Sequence, residues 1–112
     1  MEKKKYSFKG DIDSFSIMLI DRLREKFETF NYTDKTFYDN KIYKCQIDTY
    51  EIYSLLERGY IIVNIYLYEK KESDIIEIKV SLFSPTGGSS LKVKKILTEI
   101  EKTVSKYINE VK

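Results

Sequence analysis

The residues best suited to hold a ligand are Thr86, Gly87, Gly88, Ser89 and Ser90, which close the one stretch rich in Gly, Pro and Ser. Two adjacent glycines let backbone amides approach a ligand closely. The helical pattern that starts at Leu91 puts unpaired N–H groups beside them, which suits a small anion such as a phosphate or carboxylate. Lys92, Lys94 and Lys95 stand in the first turns, where cations oppose the helix dipole and a bound anion would offset the repulsion. The pattern is not the phosphate loop Gly-x-x-x-x-Gly-Lys-Ser/Thr, because no Lys-Ser/Thr follows at the required spacing. The simpler reading is a strand-to-helix turn closed by a serine cap, and both readings stay open on the sequence.

Other chemistries are short of residues. The chain has no histidine, which removes the usual general base at neutral pH, the Ser-His and Cys-His nucleophile pairs and the commonest transition-metal ligand. The single cysteine, Cys45, alternates with Tyr43 and Ile47 and is expected to be a small buried apolar side chain. Without a Cys-x-x-Cys spacing, no zinc or iron–sulfur site is expected. Carboxylates are scattered. Asp11 and Asp13 flank a helix start, and Glu99, Glu101 and Glu110 fall on the polar side of the last helix. No catalytic residue, metal or cofactor is assigned, and an enzyme is not the expected reading.

Tyrosine is the second feature, with ten in the chain. Tyr60, Tyr66 and Tyr68 alternate on one face of a strand, and Tyr50 and Ile52 are expected to join them from the neighbouring strand. Such a face suits a homodimer interface, since aromatic residues are enriched in interface cores. It also suits stacking of unpaired bases, or it reflects β-propensity alone. Lys44 and Lys79 are placed on that face with Glu77 and Asp48 diluting them, so nucleic acid is not the expected partner.

The elements that must position these residues follow from periodicity. Residues 4–9 read as a strand with Tyr6 and Phe8 on one face, broken by Gly10. Asp11 or Asp13 then caps a helix over residues 12–30, with Ile12, Phe15, Leu19, Leu23, Phe27 and Phe30 on one stripe. Residues 31–34 end it. Strands are expected at 35–38, 42–53, 60–68 and 75–83. In the second of these the apolar parity shifts from Tyr43, Cys45 and Ile47 to Tyr50 and Ile52, which predicts a bulge or a bend near Asp48-Thr49. Residues 55–59 connect two strands, with Leu55 and Leu56 candidates to pack. Clean alternation in residues 60–68 and 75–83 predicts an antiparallel sheet with one wet face. A helix over 91–111 carries Val93, Ile96, Leu97, Ile100, Val104, Tyr107, Ile108 and Val111 on one stripe, capped by Ser89 or Ser90. The order β-α-β-β-β-β-α is that of a two-layer α+β domain with both helices on one face of the sheet, as in the TATA-binding-protein-like and helix-grip folds.

At 112 residues the chain is expected to be one domain, with charge nearly balanced at +2. No signal peptide is recognised, and no apolar run approaches the ~20 residues that span a bilayer. With no cysteine pair to oxidise, a cytoplasmic protein is expected, with no membrane partner. Alanine is absent while Lys, Ile, Tyr and Asn abound, which fits an AT-rich bacterial genome.

Gly10-Asp11, Tyr50-x-x-Tyr53-Ser54, Val63-Asn64-Ile65 and Thr86-Gly87-Gly88-Ser89-Ser90 together resemble a family of short bacterial proteins, common in Gram-positive Firmicutes and carried as a domain of unknown function. The resemblance covers nearly the whole chain. It implies a small α+β domain and supplies no catalytic residues. The expected function is a non-enzymatic binding or interaction module acting as a homodimer. The alternative is a sensor or carrier of a small anionic ligand, held at the Gly87-Gly88 loop or between sheet and helices.

Overall fold

The computed structural model describes residues 2–87 and 90–110. Its elements are β1 (Glu2–Lys9), α1 (Ile12–Lys26), β2 (Asn31–Asp39), β3 (Tyr43–Ser54), β4 (Gly59–Lys70), β5 (Ile75–Phe83) and α2 (Leu91–Glu110). The order is the expected β-α-β-β-β-β-α. The five strands form one antiparallel sheet in the order β1-β5-β4-β3-β2. Ile12, Phe15, Leu19 and Leu23 of α1 and Val93, Ile96 and Ile100 of α2 share one buried cluster with Ile61, Val63 and Ile65 of β4 and Ile76, Ile78 and Val80 of β5. Both helices therefore cover the same face of the sheet, and the alternation in β4 and β5 puts their aliphatic residues beneath them.

Asp11 is the cap of α1. Its carboxylate accepts the Ser14 N–H at 2.9 Å. The helix ends at Lys26, short of the expected residue 30, because Phe27 turns to extended backbone at φ −126°. Residues 31–34 do not end the helix but open β2, drawn into the ladder by Asn31 opposite Glu51 and Tyr32 opposite Tyr50. Phe27 and Phe30 still pack on the core from outside the helix.

Two expectations for β3 are corrected. The strand is straight, and it pairs with β4 in unbroken register from Tyr43 opposite Lys70 to Ser54 opposite Gly59. The register shift lies in β2, between Tyr32 and Asp34, with Thr33 as the extra residue. The inward face of β3 is Gln46, Asp48, Tyr50, Ile52 and Ser54, all buried. Tyr43, Cys45 and Ile47 face the other way, so polar Gln46 and Asp48 occupy core positions while apolar neighbours stand outside. Leu55 and Leu56 do not pack; they stand at the β3–β4 turn, 80% and 85% exposed. Val111 lies outside the described residues.

The β1–α1 junction is held by the far end of α2. The Tyr107 hydroxyl accepts the Asp11 N–H at 2.9 Å and shares a hydrogen bond with Ser14 Oγ at 2.8 Å. Phe8 and Phe15 pack edge-on or tilted around the Tyr107 ring, at 5.6 and 5.4 Å between centroids. Gly10 makes room for this, since a Cβ there would lie 2.3 Å from the Tyr107 ring. Gly10→Ala is therefore expected to destabilise the fold by about 2 kcal/mol, the range of overpacked sites. Tyr107→Phe should cost about 1 kcal/mol by losing its hydroxyl bonds. Urea unfolding of the two variants against the wild type checks both values and their order.

Candidate functional site: the open face of the sheet

Residues opposite one another in an antiparallel ladder point to the same side, so the pairings arrange the uncovered face into rows. One row reads Asp34, Thr49, Asn64, Ser81 and Lys3 from β2 across to β1. The next reads Thr36, Ile47, Tyr66, Lys79 and Lys5, and the third Tyr38, Cys45, Tyr68, Glu77 and Ser7. Between the second and third rows runs a shallow groove of about 600 Å³, lined by Ile47, Cys45, Tyr66, Tyr68, Lys5 and Lys79 among others. Rings continue across strands, with Tyr38 to Tyr43 at 5.7 Å and Tyr43 to Tyr68 at 5.6 Å. Lys79 Nζ stands 5.9 Å above the Tyr66 ring. Towards the β3–β4 turn, Tyr53 meets Tyr60 at 5.3 Å.

Of the tyrosines expected on this face, Tyr60, Tyr66 and Tyr68 are there, 52%, 39% and 37% exposed. Tyr50 is not. It is fully buried on the helix side, since its even position shares the parity of Ile52. Tyr38, Tyr43 and Tyr53 take its place. The charge assignment changes for the same reason. Lys44 and Asp48 lie on the helix side, where Lys44 Nζ meets Asp13 at 2.7 Å. The open face keeps Lys79 and Glu77 and gains Lys3, Lys5 and Lys9 along β1 and Lys70 on β4, with Asp34 and Glu51 towards β2. Cys45 is half-buried on this open face instead of inside the core, and burial pushes its thiol pKa up. That leaves it less of a nucleophile at neutral pH than a free thiol.

Beneath β3 lies a cluster that the sequence did not announce. Asp48 is fully buried, and among the described residues hydroxyl and amide donors surround it where an ion pair would place a cation. Ser16 Oγ donates to it at 2.9 Å, Gln46 Nε2 at 2.8 Å and Tyr50 at 3.4 Å, and the Tyr32 hydroxyl donates to its other oxygen. Such donors replace the water that a buried carboxylate loses. They join α1, β2 and β3 at one point. Burial, then the bond to Asp48 and its charge, push the Tyr32 pKa up; burial and the Asp48 charge do the same for Tyr50. On β1, burial and then Glu101 raise Tyr6 to about 12. These phenols serve as donors and not as bases.

The loop before α2 is only partly described, and Gly88 and Ser89 lie outside the described residues. Gly87 has φ +72°, a left-handed backbone that favours glycine, and its N–H bonds the Ser84 carbonyl at 3.0 Å. Ser90 Oγ accepts the Val93 N–H at 3.2 Å as the cap. Thr86 Oγ1 donates to the Glu57 carboxylate at 2.8 Å, which brings negative charge to the described part of this loop. At the start of α1 the Glu69 carboxylate already accepts the Ile12 N–H at 2.8 Å. Among the described residues no group of three or more His, Cys, Asp or Glu is placed to hold a metal ion. No helix among them is long and apolar enough to cross a membrane.

Comparison with known proteins gives no matching family model, curated protein or solved structure.

Tyr32→Phe removes one donor from a buried carboxylate and is expected to cost roughly 1.5–3 kcal/mol, measured by urea unfolding. The raised phenols also set an alkaline limit. A tyrosine whose folded pKa exceeds its unfolded value of 10.0 adds stability that is whole below pH 10 and falls as pH climbs through the folded pKa, because the unfolded chain then releases its proton first. The unfolding midpoint should fall between pH 10 and 12, and less steeply in Tyr6→Phe.

Proposed function

We propose that the protein is a non-enzymatic interaction module of the cytoplasm that works as a homodimer through the open face of its sheet. The observation that carries this reading is the aromatic and aliphatic set across β2, β3 and β4 of that face: Tyr38, Tyr43, Ile47, Tyr66 and Tyr68 in adjoining rows, with Lys3, Lys5, Lys9 and Asp34 on the outer strands, Lys70 and Glu51 in the end rows, and Glu77 and Lys79 on β5. Large contiguous apolar patches on a soluble domain mark interaction surfaces, and an apolar centre with a charged rim is the anatomy of a protein interface. The cytoplasmic part of the reading rests on the single cysteine, which offers no intrachain disulfide for an oxidising compartment to form. Carrying a small anion at the Gly87-Gly88 loop has less support, given Glu57 beside Thr86. The resemblance to the Firmicutes family adds no residue to this reading.

Size-exclusion chromatography with light scattering is the test. The wild type should elute as a dimer at about 100 μM, and Tyr66→Lys should elute as a monomer with an unchanged circular dichroism spectrum. Cys45 should react with a thiol reagent several-fold faster in that variant, once the face is uncovered. A monomeric wild type at the same concentration overturns the reading. So does a dimer broken by Leu55→Ser with Leu56→Ser but not by Tyr66→Lys, which would move the interface to the β3–β4 turn.

A further inference from the structure

Charge is distributed unevenly across the open face. Lys3, Lys5 and Lys9 of β1 and Lys79 of β5 gather at one side with Glu77 among them, Lys70 stands on central β4, and Asp34 of β2 and Glu51 of β3 stand at the other side. Lys3 and Asp34 close opposite ends of the same row. Resting on the homodimer reading, we infer that the partner is a second copy of this chain, related by a two-fold axis that runs parallel to the strands over β4.

That axis turns each row onto its own image with the order reversed. Lys3 of one copy then faces Asp34 of the other, and the reverse, giving two ion pairs at the rims. Asn64, Tyr66 and Tyr68 of β4 meet their own images on the axis, and so does Lys70 at the end of the face, where its long side chain reaches solvent. Lys79 lies over the Ile47 position, where its aliphatic stem covers apolar surface. The rival arrangement, with the axis across the strands, lays β1 and β5 of one copy on β1 and β5 of the other. Lys5 and Lys79 then face their own images when the axis lies on their row, and when it lies between the second and third rows Lys79 meets Glu77 while Lys3 meets Lys9; like charges set together at an interface are disfavoured. The axis along the strands is the one that lets the basic side meet the acidic side. Strands ~4.8 Å apart and ~6.7 Å per two residues give this face, with three rows across all five strands and shorter rows at either end, roughly 500 Å² of flat projection per copy. Side-chain relief adds to this, so the pair clears the roughly 1,000 Å² that a specific interface needs.

Zero-length carbodiimide cross-linking of the dimer, followed by mass spectrometry of a mixture of isotope-labelled and unlabelled chains, tests the arrangement. Lys3 and Asp34 sit four strands apart, ~19 Å within one copy, so an amide between them forms only between copies. The expected product is a mixed-label Lys3–Asp34 peptide. Sedimentation equilibrium supplies the second readout. Lys3→Glu and Asp34→Lys should each raise the dimer Kd on the order of tenfold, since each touches two exposed pairs worth a few-fold apiece. The double variant should return to within about threefold of wild type. A dimer that yields no Lys3–Asp34 product and ignores both swaps overturns this arrangement and leaves the homodimer standing. A chain that never dimerises overturns both.

Discussion

The buried carboxylate of Asp48 is the constraint on which the rest of the sheet turns. A charge without a counter-ion in an apolar interior is held by hydrogen bonds alone, and each donor must come from a fixed place. Here one donor is on α1, one on β2 and two on β3 itself. If β3 slipped by a single residue, Asp48 would move to the open side with Gln46 and Tyr50 and lose the donors on α1 and β2, Ser16 and Tyr32, because strand side chains alternate with period two. The position of Asp48 therefore decides that Tyr50 and Ile52 point to the helices. It equally decides that Tyr43, Cys45 and Ile47 point away from them.

An open aromatic face is thus the counterpart of a polar core position. Two helices suffice to cover one side of a five-stranded sheet, and this chain puts both on the same side. The exposed side is the wider binding surface by default, and its groove is shaped by Tyr66 and Tyr68 on the central strand. Neither end of the molecule rivals it as a ligand site. The start of α1 already has the Glu69 carboxylate on its first N–H groups, and the loop before α2 has Glu57.

The element order, the helix stripes and the inward faces of β4 and β5 were legible because each follows one clean period. Ile61, Val63 and Ile65, or Val93, Ile96 and Ile100, need no knowledge of the rest of the chain. The path of β3 was not legible for the opposite reason. Cys45 and Ile47 are apolar and sit on the open side, while Gln46 and Asp48 are polar and sit inside, so hydrophobicity alone points to a bulge that is absent. What places them is a set of partners, Ser16 and Tyr32, that lie 32 and 16 residues from Asp48. The true irregularity, at Thr33, falls in a segment that looks like the end of a helix. Much of the candidate face followed from β4, which read correctly, and the errors were those of its neighbour: Tyr50 included, Tyr43 left out, Lys44 and Asp48 on the wrong side.

The clasp between Tyr107 and the β1–α1 junction joins groups 96 residues apart in the chain. β1 likewise waits for β5 before it has any strand to pair with. During synthesis at 5–20 residues per second, the first strand and helix emerge roughly 5–20 s ahead of the segment that completes them. Native contacts of such long sequence separation also make folding intrinsically slow. The early segments, with Phe8, Phe15 and Leu19 unburied, spend that interval exposed, so vectorial synthesis leaves this topology dependent on whatever shields a nascent chain until its last helix arrives.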